Sequence, residues 1–250
     1  MLSNYIGQHI FRLDTCHSTQ EVLAQLLTKK KIQEGAVVLS DYQTDGRGMI
    51  NTKWQSEAKK NILCSLVLYP TFLKLDTAFM LSKCISIAIT LTLRQYTTTE
   101  IYIKWPNDIV ILHKKIAGFV IANSIQNSAI EQCIIGIGIN INQLTFSADL
   151  QHAISLSQVT NSYIDTYQFE EKLFYYIEKL YDMLKENKVS EIEELYTERL
   201  YKNNGVGIFE YNNEIVESSL ISVNTSGELS IIIKNNVITF RPKELKQRLG

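Results

Sequence analysis

Two basic residues stand where a ligand's negative charge could be met. Arg47 lies between Gly46 and Gly48 in the stretch D-Y-Q-T-D-G-R-G-M-I-N-T-K-W, which begins at Asp41 and ends at Trp54. Its planar donor fork suits a carboxylate or a phosphate. Two glycines so close together make the backbone permissive and costly to order, so such a segment can stay mobile until a ligand settles it. Lys115 is the second basic residue. It directly precedes an apolar run in which Gly118 leaves room over the backbone, whereas its neighbour Lys114 reads as the solvated one of the pair. For Arg47 the bland alternative is a plain surface turn, because short glycine motifs are common.

Three further patterns offer polar groups. Ser18 and Glu21 have the spacing of a capping box, and Val22, Leu23, Leu26 and Leu27 follow at helical spacing. Ser18, Thr19 and Gln20 then sit at a helix N-terminus, where free backbone donors gather. The simpler alternative is that Ser18 caps and does nothing more. In W-P-N-D, Pro106 biases Trp105 away from helix, and Asn107 and Asp108 fall between two strand-like runs. They form either a tight turn or a pair of polar side chains presented at a strand edge beside an aromatic ring. In the run 131–142, Gly136 and Gly138 share one face of a strand, continued by Asn140 and Asn142. Strand glycines often mark close approach of a ligand or another backbone. Packing against the longest helix is the competing explanation.

The elements that must position these groups are legible as periodicities. Strands are expected over 5–13, 36–42, 61–69, 101–104, 109–112, 119–122 and 131–142. Helices are expected over 18–27, over 76–96 as the longest, over 168–185 and over 189–201, with 144–159 loop-like. After Lys202-Asn203-Asn204-Gly205 the pattern changes to short strands over 206–211, 215–223, 229–233 and 237–240, separated by turn signals. That reads as a small all-β barrel over 204–250, distinct from 1–203.

Composition narrows the function classes. The chain has 250 residues, 45% hydrophobic and 20% charged, an ordinary globular balance. A net charge of −1 suits duplex nucleic acid poorly, no helix-turn-helix precedes the first strand, and no zinc-ligand pattern appears. The N-terminus lacks the basic flank and apolar core of a signal peptide. The stretch 78–93, broken by Ser82, Lys83, Ser86, Thr90 and Thr92, reads as too polar and too short to span a bilayer. Cys16, Cys64, Cys84 and Cys133 show no paired spacing and read as reduced thiols of a cytoplasmic protein.

Taken in order, S-T-Q at a helix start, Y-Q-T-D-G-R-G followed by Trp54, K-W-P-N-D, K-K-I-A-G, G-I-G-I-N and a small C-terminal β-unit, the chain resembles a biotin–protein ligase of the bacterial type lacking the DNA-binding domain. The resemblance spans nearly the whole chain, and its motifs are specific in combination though weak singly. It implies an α+β fold, a mixed β-sheet with helices of the class II aminoacyl-tRNA synthetase and biotin ligase kind, followed by an SH3-like barrel. It also implies two half-reactions. Biotin and ATP give biotinyl-5'-AMP and pyrophosphate, and the activated biotin passes to a lysine of the biotin carboxyl carrier domain of a carboxylase.

Carried over residue by residue, the resemblance sets Ser18, Thr19, Gln20 and Gln43 against the ureido ring. It sets Gly46, Arg47, Gly48 and Met49 in a loop over the adenylate, with Gly118 beside the biotin. Trp54, Asn107 and Asn140 fall on the ATP side, and Lys115 bridges the biotin carboxylate and the α-phosphate. Positive charge is needed where the two anions meet, so Arg47 and Lys115 are the expected electrostatic catalysts. Mg2+ would enter with the ATP and neutralise the leaving pyrophosphate, its protein ligands unknown. A closing loop would protect the mixed anhydride from water.

The implied protein is cytoplasmic, a monomer or homodimer, with no nucleic-acid or membrane partner. Met49 stands where relatives carry Arg or Gln, which implies weaker retention of the adenylate. Asn51 replaces Gly, and Asn tolerates positive φ. Gln20 stands where Asn is common. Arg241, Lys243 and Glu244 are candidates for closing the site or docking the carrier. The alternatives are a lipoate or octanoate ligase or transferase sharing the sheet, a biotin-sensing repressor, and a non-catalytic binding module.

Overall fold

The computed structural model describes residues 2–49, 52–126, 129–203, 205–212, 214–242 and 244–249, so Asn51 and Lys243 lie outside the described residues. Seven strands form the larger sheet: β1 (Ile10–Leu13), β2 (Val37–Ser40), β3 (Asn61–Leu68), β4 (Ile101–Lys104), β5 (Asp108–Ile111), β6 (Lys114–Gln126) and β7 (Ala129–Asn140). Their order is β1-β2-β3-β7-β6-β5-β4. Only β1 and β2 run parallel; the other neighbours are antiparallel, so the sheet is mixed as expected.

The central strands β3 and β7 are apolar at most positions because both faces are covered. One face packs under α2 (Phe79–Leu93), α4 (Thr166–Lys185) and α5 (Val189–Thr197) in a core that takes Ile62, Cys64 and Leu66 from β3 and Ile135, Ile137 and Ile139 from β7. The other face meets α1 (Thr19–Lys29), whose Leu23 joins Val38, Val67 and Ile134. Strand alternation therefore turns Gly136, Gly138 and Asn140 toward the α1 side. The two glycines do not accommodate the long helix, which lies on the opposite face.

Several local expectations change. The strand expected over 5–13 shortens to β1. The backbone N–H groups of Asn4, Tyr5 and Ile6 donate to the Glu178 carboxylate of α4 at 2.7, 2.8 and 3.0 Å instead of joining a ladder. The loop-like region contains α3 (Leu156–Thr160), whose N-cap Ser155 exchanges bonds with Gln158 in a capping box. Contrary to the expectation for 78–93, the helical stretch Leu75–Leu93 is long and apolar enough for a membrane span by length and composition, at a mean hydropathy of 1.4. Here it is a core helix. The hydroxyls of Ser86, Thr90 and Thr92 bond back to the carbonyls of Ser82, Ser86 and Ala88, which satisfies them within the helix.

The smaller antiparallel sheet has the order β11-β10-β9-β8-β12, from β8 (Val206–Tyr211), β9 (Glu214–Val223), β10 (Leu229–Ile233), β11 (Asn236–Phe240) and β12 (Lys246–Gln247). All four cysteines are free.

Candidate active site

The first wall of the cleft is the start of α1. Ser18 occupies the N-cap position with extended backbone, but its hydroxyl makes no cap bond. Glu21, the expected second half of that box, turns away and takes the Arg47 guanidinium in an ion pair. The expected capping box therefore does not form, and the Ser18 hydroxyl lines the cleft. Thr19 is held firmly. Its backbone N–H and hydroxyl both donate to the Gln43 side-chain oxygen, at 2.7 and 3.0 Å. Its hydroxyl proton being engaged there, the 2.8 Å contact with Ser65 makes the Ser65 hydroxyl the donor to Thr19. A parallel bridge between Cys16 and Gln43 fixes the two segments side by side.

The glycine–arginine loop folds back on itself. Trp54 N–H donates to Gly46 O at 2.8 Å, and Gly48 N–H donates to Thr52 O at 2.7 Å. An ion pair between Lys53 and Asp45 crosses the same hairpin at 3.1 Å. The glycines are needed for a different reason than expected, since neither has positive φ. A Cβ on Gly46 would come within 2.6 Å of Trp54 O, and one on Gly48 would collide with the Thr52 hydroxyl. Close approach of two chain segments explains both positions.

The floor is a pair of facing glycines, Gly118 of β6 and Gly138 of β7, which are register partners. A Cβ on Gly138 would lie 2.5 Å from the Trp54 indole, and one on Gly118 would lie 3.0 Å from Lys115 Cε and Nζ. Removing both side chains lets an indole and a lysine stem lie directly on the sheet. Lys115 Nζ stands 5.5 Å from the Trp54 ring centroid, within cation–π reach. The Trp54 indole N–H is buried and has no hydrogen-bond partner among the described residues.

Lys115 is ion-paired with Asp108 at 2.6 Å, and Lys104 reaches the same carboxylate at 3.2 Å. Burial alone would raise the Asp108 carboxyl, but the two ammonium groups outweigh it and hold it below the usual carboxylate range. As expected, Lys114 is exposed while Lys115 is partly covered. The Asn107 side-chain amide donates to Phe119 O at 2.6 Å, and that of Asn140 donates to Ile154 O at 3.2 Å. Both amide nitrogens are thus engaged by the fold.

These walls form a half-open cleft lined by Ser18, Thr19, Gln20, Gln43, Arg47, Gly48, Met49, Trp54, Asn107, Lys115 and Gly118. A second, partly open cavity of about 70 Å³ lies across Trp54 and Lys115, which line both, and reaches Lys53, Asn140, Phe146 and Leu150. Of the residues expected on the nucleotide side, Trp54 and Asn140 face the second cavity, whereas Asn107 opens to the first. Gly46 lines neither and serves the hairpin. The sequence offers Asp108 only as a polar group at a strand edge, with no partner, and does not offer Ser65. Ser65 carries a signal, being a hydroxyl amid the apolar residues of β3; Asp108 and Lys115 lie on the neighbouring strands β5 and β6, and the irregular register of that pairing, which sequence spacing does not show, brings them together. Among the described residues no group of three or more His, Cys, Asp and Glu could hold a metal ion.

Comparison with known proteins agrees with this architecture. Residues 13–140 match the profile of the Biotin/lipoate A/B protein ligase family. The bifunctional ligase/repressor BirA of Bacillus spizizenii is 35% identical over 163 residues, covering 64% of this chain and 50% of that protein. BirA of Escherichia coli is 28% identical over 145 residues, covering 56% of this chain and 43% of that protein. The chain thus spans half or less of the length of these relatives. Among solved structures, the biotin protein ligase from Aquifex aeolicus in complex with biotin and ATP superposes with a TM-score of 0.81 at 21% identity, covering 97% of this chain and 100% of that one. That likeness speaks to the fold. With its matching segment covering about half of the sequence and containing the S-T-Q, G-R-G, W-P-N-D and G-I-G-I-N motifs, the chain belongs to the biotin/lipoate A/B protein ligase family.

Proposed function

We propose that this protein is an ATP-dependent biotin–protein ligase. The observation that carries the reading is that Lys115 lines both cavities, with Trp54 as the partition between them. A biotin in the main cleft and an ATP–Mg2+ in the second would bring a carboxylate and an α-phosphate to one ammonium. The carboxylate oxygen attacks the α-phosphorus, the bond to the β-phosphate oxygen breaks, and pyrophosphate leaves with its magnesium. Lys115 and Arg47 offset the negative charge that gathers there. The acceptor lysine, as a free amine, then attacks the biotinyl carbonyl and AMP departs.

Ser18, Thr19, Gln20 and Gln43 supply donors and acceptors suited to a ureido ring, which is why biotin is preferred over lipoate, whose dithiolane offers neither. Residues 1–203 are taken as the unit binding biotin and ATP, with 204–250 as a separate small unit. The acceptor in this reading is the carboxyl carrier domain of a biotin-dependent carboxylase, and the reaction takes place in the cytoplasm.

Incubating the chain with ATP–Mg2+, a biotin carrier domain and either labelled biotin or labelled lipoate tests the reading. Biotin transfer dependent on ATP is expected. Transfer of lipoate alone would assign the protein to the other branch of its family.

A further inference from the structure

The turn joining β9 to β10 is seated in the larger half of the molecule at both of its ends. Lys83 of α2, fully buried, donates to Val223 O at 2.8 Å and to both Glu193 carboxylate oxygens at 2.7 and 2.6 Å. Four residues on, the Trp105 indole N–H donates to Gly227 O at 2.9 Å. Gly227 has φ +89°, and a Cβ there would collide with the Phe79 ring, so only glycine fits that seat. Trp105 is itself 1% exposed, so its ring has no room to shift independently of its neighbours.

Trp105 also belongs to the cleft's framework. It opens the short 105–107 turn between β4 and β5, across which Lys104 pairs with Asp108 in register. Asp108 in turn holds Lys115 at 2.6 Å. A path therefore runs from Gly227 O to the Trp105 indole, along the covalent 105–107 turn to Asp108, and across the ion pair to the ammonium shared by the two cavities. We propose that Trp105 is a positioning residue, whose indole N–H transmits the seating of the 224–227 turn to Asp108 and so fixes Lys115 at the partition. Its kinetic consequence rests on the ligase reading, whereas its structural consequence does not.

The test compares Trp105→Phe, which removes the N–H but keeps an aromatic ring, with Ser218→Ala. Ser218 bonds to Ile232 O and N at 2.5 and 2.9 Å within the C-terminal sheet, so its loss weakens that sheet without touching the joint. The folded variants are acetylated with an N-hydroxysuccinimide ester, and labelling of Lys115 is read by peptide mass spectrometry against exposed Lys59. Loosening one ion pair should raise the Lys115 ratio about threefold in Trp105→Phe and leave it unchanged in Ser218→Ala. Gly227→Ala, which displaces the accepting carbonyl, serves if Trp105→Phe does not fold and should show the same rise.

With biotin and ATP, Trp105→Phe should lower kcat for pyrophosphate release about tenfold with KM for biotin little changed. An unchanged Lys115 ratio, or the same rise in Ser218→Ala, overturns the proposal. A wild-type chain that releases no pyrophosphate would instead count against the ligase reading, and the labelling comparison would still decide the positioning role.

Discussion

Trp54 lies on the bare backbone of Gly138, so close that a Cβ would sit 2.5, 2.7 and 2.8 Å from three indole carbons. Gly138→Ala must therefore push the indole off the sheet. The expected cost is about 1–3 kcal/mol of stability from overpacking. Trp54→Phe shortens the ring at the same contact. If the contact is the cause, the double variant loses less than the sum of the single ones, a coupling of about 1 kcal/mol in a denaturant-unfolding cycle. Strict additivity would mean that the two residues do not meet.

Ser18 distinguishes a structural cap from a binding group. A working Ser cap would cost about 1 kcal/mol on conversion to Ala. Because the Ser18 hydroxyl makes no cap bond, Ser18→Ala is expected to change stability by less than about 0.5 kcal/mol. It should nevertheless weaken biotin binding about tenfold in a calorimetric titration, through a lost hydrogen bond in the cleft. Large destabilisation with unaltered binding would return Ser18 to a capping role.

Asp108 links the cleft to acid stability. Its carboxyl is held below its ordinary value of 3.8 because Lys115 and Lys104 outweigh the opposing effect of burial. A group depressed in the folded state contributes stability that is complete above the unfolded value and disappears as pH falls through the folded one. Asp108→Asn should therefore cost about 1–2 kcal/mol at neutral pH, discounted for partial exposure of the pair. The difference from wild type should stay flat from about pH 5 to 8 and shrink only below about pH 4. Urea titrations across that range check it; a gap that closes on the alkaline side would have the wrong sign.

Glu178 makes the same argument at the N-terminal segment. Burial opposes its charge, but the N–H groups of Tyr5, Asn4 and Ile6 and the Asn4 amide prevail and hold the carboxyl below its ordinary 4.5. Glu178→Gln keeps the shape but replaces an acceptor oxygen with an amide facing donors, at a cost of about 2 kcal/mol. Hydrogen exchange should show Tyr5 and Ile6 losing protection while adenylate formation persists. As pH drops below about 4.5 the wild type should approach the variant, since the depressed carboxylate is then protonated.

Which parts of this were legible in advance follows from the range of the interactions. Apolar spacing, a local signal, places the triplet Ser18-Thr19-Gln20 at a helix start. Strand alternation, local too, puts Gly136 and Gly138 on one face. The glycine three residues on distinguishes Lys115 from Lys114, since its missing side chain leaves room for the Lys115 stem. Glu21 misled, because the spacing of a capping box does not say whether a cation waits across the cleft, and Arg47 does. The box that does form, Ser155 with Gln158, has the same spacing with Gln in place of Glu, and lies in a stretch with too few apolar positions to suggest a helix. Asp108 with Lys115, Trp105 with Gly227 and Lys83 with Val223 join residues whose pairing no periodicity encodes.

The central claim is that one ammonium, Lys115, serves both the carboxylate and the phosphate as they join. Single-turnover release of pyrophosphate from ATP in the presence of biotin tests it most directly, comparing wild type with Lys115→Ala. Loss of an electrostatic group at the reacting atoms predicts a fall of about 100-fold or more in that rate. Release from Lys115→Ala at the wild-type rate would contradict the account.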